Sequence, residues 1–329
     1  MKTLSVCTAC YNEEGNVEEL YVRVREAIAS LGSYRYEHIF IDNCSRDNTL
    51  AVLKRIAARD KNVKIIENSR NFGPVRSPMY GIQQGSGDAV IGLSADLQDP
   101  PELIVDLVRQ WEKGTPIVIA VKKTSDEHDL MFWLRAKYYK LINRLSDVDT
   151  FEHFTGFGLY DRKVMDLVKR FNDPYFRGVI ADIGLPHGEI VFNQPARKWG
   201  VSKINLYALY DLAMLGITSL SKVPLRLVTF SGFVGSFLCV LVSLAYFLYK
   251  LIFWNRFSLG VAPLVIGVFF FLSLQMLFMG IVGEYIGTIH GMVQNRPLVV
   301  EKERINFEYG AGEPSDCGVP AQDELRLGS

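Results

Sequence analysis

Cysteine and histidine are scarce, with five of each in 329 residues. The cysteines stand at 7, 10, 44, 239 and 317, and Cys7-Thr8-Ala9-Cys10 has no second CxxC pair to complete a zinc site. A redox pair belongs at a helix N-terminus, whereas these two alternate along a strand-like run. A buried structural role is therefore expected, and reduced thiols agree with a cytoplasmic compartment. Neither sign of charge is in excess: 36 Lys+Arg against 36 Asp+Glu leave a net charge of zero, so no bulk attraction to nucleic acid is implied. No internal repeat is visible. No cleavable signal peptide is expected, because Met1 leads straight into a strand-like segment.

Up to about Arg226 long apolar runs are absent too, and the chain reads as a soluble α/β protein. Beyond that point Leu227–Tyr249 and Phe257–Gly283 hold no Asp, Glu, Lys, Arg or His. At about 1.5 Å rise per residue, each is long enough to cross a hydrocarbon layer of about 30 Å. Two such runs in succession argue against a single buried core helix. Lys203, Lys222 and Arg226 precede the pair and Arg296, Lys302 and Arg304 follow it, which places both chain ends on the cytoplasmic side. The expected organisation is a cytoplasmic domain over 1–203, interfacial amphipathic helices over 204–226, membrane spans over 227–249 and 257–283, and a cytoplasmic tail over 284–329. Charges alternate with Gly, Pro and Ser after Val300, so the tail is expected to be loosely ordered. Gly232, Gly235 and Ser236 would permit close helix approach in a homo-oligomer.

Leu4–Cys10, His38–Ile41, Val63–Glu67, Ala89–Leu93 and Ile117–Val121 read as strands by length and branched content. Val17, Leu20, Tyr21, Val24, Ala27, Ile28 and Leu31 share one face of a helix between the first two. Asp47-Asn48-Thr49 caps a second helix and Pro100-Pro101 opens another. A basic amphipathic helix is expected over 131–145. Strands alternating with helices imply a parallel sheet whose ligands lie beyond the carboxyl ends of the strands.

Those ends carry the polar clusters Tyr11-Asn12-Glu13-Glu14, Asp42-Asn43-Cys44-Ser45, Ser69-Arg70-Asn71-Phe72-Gly73 and Ser94-Ala95-Asp96-Leu97-Gln98-Asp99-Pro100-Pro101-Glu102. Together with Arg197-Lys198-Trp199-Gly200-Val201-Ser202-Lys203 and the paired apolar runs, they resemble the inverting family-2 glycosyltransferases of GT-A fold. The resemblance is to the polyprenyl-phosphate branch, of dolichol-phosphate mannose synthase and bactoprenol glycosyltransferase type, and runs from Leu4 to about Val300. It implies a mostly parallel α/β domain that binds a nucleotide-sugar donor through Tyr11, Asn12, Glu13, Asp42, Asn43, Ser45 and Ala95. It makes Asp96 the catalytic metal ligand, with Gln98 as helper, for Mg²⁺ or Mn²⁺. The bland reading of Asp96 is a helix-capping carboxylate. It also implies that Lys122, Arg135, Arg197, Ser202 and Lys203 hold the acceptor phosphate or the diphosphate. Lys198 reads equally well as a contact to anionic lipid.

The chain departs from the family pattern at Ser94, which stands at the first aspartate of DxD. It departs again at Asn43-Cys44 within DDGS, and at Gly156 in Thr155-Gly156-Phe157, where the family carries a basic aspartate. A hydroxyl acceptor needs a base to take its proton. A phosphate monoester, with a second pKa of about 6, is already mostly ionised near pH 7. The loss is thus less damaging for a lipid-phosphate acceptor. Asp182 is either a replacement for the missing acid or a surface residue, and Glu284 either a functional group or an interfacial one. The reading this supports is sugar transfer to polyprenyl phosphate at the cytoplasmic membrane face. The alternatives are a catalytically impaired nucleotide-sugar-binding membrane protein and a polysaccharide synthase with a hydroxyl acceptor.

Overall fold

The computed structural model describes residues 1–124, 151, 154–171, 173–195, 197–199, 206–252, 261–294 and 296–307. The five expected strands are present and run somewhat beyond their apolar cores: β1 (Lys2–Cys10), β2 (Tyr34–Asp42), β3 (Val63–Asn68), β4 (Ala89–Ser94) and β5 (Ile117–Thr124). Helix α1 (Val17–Leu31) buries Val17, Leu20, Val24, Ala27 and Ile28, the expected stripe. At about 1.5–3 kcal/mol for each large apolar side chain removed from water, that face holds α1 to the sheet. In α2 (Thr49–Arg59) the cap comes from Asp47, whose Oδ1 accepts from the Thr49 backbone N–H at 3.0 Å. Helix α4 (Ile104–Glu112) follows a 3-10 turn at Pro101–Leu103.

Several elements carry no clear periodic signal. Helix α3 (Gly73–Gln83) contains Pro74 and Pro78, residues that read as breakers. Its Gly81 is required by close approach: a Cβ there would lie 2.1 Å from Ile41 Cδ1 on the sheet. Strand β6 (Phe154–Asp161) carries glycine at 156 and 158, which weakens any strand pattern. Helices α5 (Arg162–Val168) and α6 (Phe176–Ile183) and strand β7 (His187–Asn193) complete this part.

Among the described residues the sheet has eight strands in the order β7-β5-β6-β4-β1-β2-β3-β8, with β8 at Glu301–Ile305. The central block β4-β1-β2-β3 is parallel, as expected, while β6 and β8 run antiparallel to their neighbours. Alternation along the strands sends Val6 and Phe40 to the face covered by α1, α2 and α4, and Cys7, Ile39 and Ile41 to the face covered by α3, α5 and α6. Cys7 and Cys10 are buried, and burial pushes both thiols far above the usual range, which fits an inert structural role.

Over Glu301–Ile305 the expected loose tail is corrected by β8, while 308–329 lie outside the described residues. Its charges are not a solvated run, because they meet partners across the edge. Lys302 pairs with Glu67, Glu303 with Lys54, and Arg304 bonds Glu301, Tyr80 and Gln84. The strand also covers an edge that would otherwise present unpaired backbone. Because β8 is antiparallel to β3, its first residue, Glu301, pairs with Asn68 at the carboxyl end of β3.

Three helices precede it: α7 (Leu206–Leu220), α8 (Val223–Ile252) and α9 (Val261–Val293). The expected span 227–249 lies within α8. The second span was expected to end at Gly283, but α9 continues to Val293; its expected start and residues 253–260 are outside the described residues. Among the described residues, Gly267–Val293 is the stretch long and apolar enough to cross a membrane, and none of its apolar window is buried. A core helix would hide that surface. Phe230, Phe233 and Phe237 of α8 and Phe269, Phe270 and Met276 of α9 are likewise exposed. Tyr210 donates to Glu284 at 2.8 Å, Tyr285 to the Ser221 carbonyl at 2.6 Å, and Thr218 meets Thr288 at 3.0 Å, fastening α7 to the end of α9. Glu284 is thus engaged by α7. The expected helix over 131–145 lies outside the described residues.

Arg304→Ala should cost about 2 kcal/mol, because Glu301 and Tyr80 lose a partner in a half-buried setting. Hydrogen exchange checks this: amides of Glu301–Ile305 should accelerate while those of β1 do not.

Candidate active site

Register pairs Cys10 with Asp42, Asp42 with Glu67 and Ala9 with Ser94, so the loops after four parallel strands share one edge. The first two are laced together. The Asn12 N–H donates to Ser45 Oγ at 2.9 Å and the Glu13 N–H to Thr49 Oγ1 at 2.8 Å. In return Asn12 Oδ1 accepts from the Arg46 N–H at 2.7 Å. Asn12 itself sits at φ 55, a left-handed conformation that asparagine tolerates. Asn43 is 6 % exposed and wholly committed to structure. Its amide N–H reaches Asn71 Oδ1, and its oxygen accepts from Asn68 and the Phe72 N–H. For the side chain of Asn43 the expected donor contact is replaced by a scaffolding one, because both amide protons and the oxygen are spent within these loops.

Asp42 is different. It is 1 % exposed, Oδ2 accepts from the Ser45 N–H at 3.1 Å, and Oδ1 is buried without a partner. Burial holds its carboxyl above the usual range, against the Ser45 hydrogen bonds. A buried acceptor left bare at a strand end is where a ligand hydroxyl or N–H belongs. Ala95 is buried, and Tyr11 and Glu13 are half-buried in the same cleft.

The loop after β4 turns at Leu97, φ 60. Asp96 is half-buried, and its Oδ1 accepts from the Gln98 N–H at 3.2 Å. No side chain caps the 3-10 turn at Pro101, so the capping reading of Asp96 fails. Ser94 donates its hydroxyl to Asp99 Oδ2 at 2.6 Å. Asp99 is 2 % exposed; burial raises its carboxyl to about 6, the Ser94 bond and the Lys122 charge pull down, and the Asp96 charge pushes up. Asp99 was not singled out from the sequence, where Asp-Pro-Pro reads as a helix opening; its spacing from Asp96 was the available signal. Among the described residues no three His, Cys, Asp or Glu side chains converge as a ready-made metal site. One or two carboxylates completed by substrate phosphates and water are what Mg²⁺ usually takes, and Asp96 fits that pattern.

Lys122 donates to Gln194 at 3.2 Å beside this loop. Arg197 pairs with Glu13 and donates to the Trp199 carbonyl, which brings the basic segment onto the Tyr11–Glu14 turn. Lys198 is exposed and pairs with Glu19. Arg135, Ser202 and Lys203 lie outside the described residues. Asp182 is not brought to the site: it is exposed at the C-terminal end of α6, five positions on from Arg177 and turned to another side of the helix. Its hypothesised role as a replacement acid is withdrawn.

Arg177 lines an adjoining cavity of about 280 Å³ between α3, α6 and the ends of β1, β2, β4 and β6, which touches the β4 loop at Ser94 but is not bordered by Asp42, Asp96 or Glu13. Ser94, Phe157 and Tyr175 also border it. Gly156 opens onto it at φ +104, with nothing within 4 Å of an added Cβ. Space would admit an aspartate there; the backbone conformation would strain it.

Glycosyl transferase family 2 matches residues 5–199. An uncharacterized glycosyltransferase of Synechocystis is 33 % identical over 93 % of this chain and 96 % of its own. The uncharacterized glycosyltransferase YkcC of Bacillus subtilis is 32 % identical over 92 % and 94 %. The bactoprenol glucosyl transferase of Shigella phage SfII is 31 % identical over 91 % and 97 %.

Asp99 also generates a pH prediction. With its folded pKa raised to about 6 from 3.8, the folded state holds more proton between those values, so its contribution falls as pH rises from 3.8 to about 6. Asp99→Asn should flatten that part of the stability curve, and thermal unfolding from pH 4 to 7 reads it.

Proposed function

The chain belongs to glycosyl transferase family 2, and from that premise we propose that it moves a sugar from a nucleotide-diphosphate donor to polyprenyl phosphate at a membrane surface, with inversion. The carrying observation is that donor-type loops and the returning apolar helix share one edge. Asp42 and Asp96 lie at the carboxyl ends of β2 and β4, and β8 enters at the carboxyl end of β3, seven residues after α9 ends. A donor held there lies near whatever layer α9 enters. The name of the phage relative supports the lipid acceptor, and α8 and α9 would form the two-span hairpin, with the catalytic domain and both ends on the cytoplasmic side.

Each residue then has a task. The unpartnered Oδ1 of Asp42 accepts a hydrogen bond from the nucleoside part of the donor. Asp96, with Gln98 beside it, holds a divalent cation, which when bound supplies Lewis-acid neutralisation of the departing diphosphate. Lys122 and Arg197 stand on either side of the cleft as cations for phosphate oxygens. The acceptor phosphate, already ionised, attacks the anomeric carbon as the carbon–oxygen bond to the diphosphate breaks. No proton has to be taken from it, which is why Gly156 can stand where a base is otherwise needed.

The test is the full-length chain in detergent with a panel of nucleotide sugars, Mn²⁺ and undecaprenyl phosphate, with glycolipid read by mass. A polyprenyl-phospho-sugar is expected. Donor binding without nucleoside diphosphate release would instead make it a non-catalytic binding protein, and label in polymer would make it a polysaccharide synthase. Asp96→Asn should lower kcat by about a hundredfold or more. Asp182→Asn should leave turnover within about twofold, since that side chain is exposed away from the cleft.

A further inference from the structure

Three arginines remain that the catalytic reading does not use. Arg70 lies in the loop after β3, Arg76 on α3 and Arg296 between α9 and β8, and the pairing of β8 with β3 brings them together. Arg70 stacks its guanidinium over Phe72 at 4.1 Å from the ring centre, and Arg76 approaches the same ring at 5.3 Å. Arg76 also donates to the Pro297 carbonyl at 2.6 Å, next to Arg296. The three charges are close enough to interact. Burial first, then Arg70 and Arg296, hold Arg76 below the usual guanidinium range.

Among the described residues none of the three has a carboxylate partner. The acids of the adjoining strands are already matched: Glu67 and Glu303 with lysines, Glu301 with Arg304. Like charges held at short range repel, and such a cluster is stabilised when an external anion sits among them. Two of the guanidinium groups are also fixed by one aromatic ring, which reduces the ordering an anion would have to impose.

Position identifies the anion. Arg76 is not among the α3 residues that border the cavity (Pro74, Val75, Pro78, Met79 and Ile82), and Arg70 and Arg296 are exposed, so the cluster lies outside that cavity. It lies three residues beyond the end of α9, whose apolar surface is exposed. We propose that Arg70, Arg76 and Arg296 form a binding site for the headgroup phosphate of an anionic phospholipid, at the foot of α9 and outside the catalytic cleft. This rests on reading α9 as a membrane span. Seating the headgroup there would tie the β3–α3 loop to the bilayer surface, and with it the edge that carries Asp42 and Asp96.

The experiment titrates the full-length chain in neutral detergent with phosphatidylglycerol, phosphatidylcholine, inorganic phosphate and undecaprenyl phosphate, reading bound lipid by native mass spectrometry. Phosphatidylglycerol should bind and raise the unfolding midpoint, and phosphatidylcholine should not. R70Q/R76Q/R296Q should bind phosphatidylglycerol roughly a hundredfold more weakly, at about fivefold per basic residue. Donor binding should be unchanged. R70Q/R296Q keeps the Arg76–Pro297 contact intact and should still lose about twenty-five-fold, so a folding failure of the triple variant does not shield the idea. Unchanged phosphatidylglycerol binding by R70Q/R296Q overturns it. So does equal binding of inorganic phosphate, or displacement by undecaprenyl phosphate at matching affinity. Alkaline washing of membranes reads the span separately. Release of the wild-type chain sinks the membrane reading and this site together, whereas retention with unaltered variant binding sinks the site alone.

Discussion

Cys10 beside Asp42, Asp42 beside Glu67 and Ala9 beside Ser94 are pairings between parallel strands, and they set four chain reversals in one row. Parallel pairing forces each connection to return over a face of the sheet, so every loop after β1, β2, β3 and β4 emerges on the same side. The acceptor groups of Asp42, the Asp96 carboxylate and the Arg70–Arg76 pair all inherit their neighbourhood from that geometry. A one-residue slip would exchange Val6 and Phe40 with the side chains packed on the opposite face and scatter the row.

Holding polar loops over an apolar core requires that their backbone be satisfied. Asn43 does this for the β3–α3 loop, and Asn68 reaches both Asn43 and Ser77, all buried. Asp47 and Glu14 do the same for the start of α2, since Asp47 accepts from Thr49 and Glu14 from Asn48. Most of the polar groups in these loops are spent on one another. Among what is left over are Asp42 Oδ1 and one side of Asp96, the carboxylate oxygens a ligand can use. Preorganisation of this kind lowers the cost of binding a flexible nucleotide sugar.

The apolar helices return to the same row through β8. Tyr210 and Thr218 of α7, with Ser221 just beyond it, hold the end of α9, and β8 then returns to β3. The exposed surface of α9 is therefore not free to orient independently of the site.

Local pattern alone determined the five strands, the buried stripe of α1, the cap of α2, the proline opening before α4 and the two apolar runs, because each depends on contacts a few residues long. The clusters at residues 11–14, 42–45 and 94–102 were legible for the same reason, as polar residues ending apolar strands. Long-range pairing decided the rest. Asp99 became a buried acid only because Ser94 folds back on it, Asn43 became scaffold because Asn68 and Phe72 reach it, and Asp182 left the site because α6 turns it outward. Residues 301–305, charged enough to read as a solvated tail, became an edge strand because Lys54, Glu67 and Tyr80 wait across it. The β8 partners lie more than 200 positions apart, and no local pattern records them; they exist only once the sheet has closed.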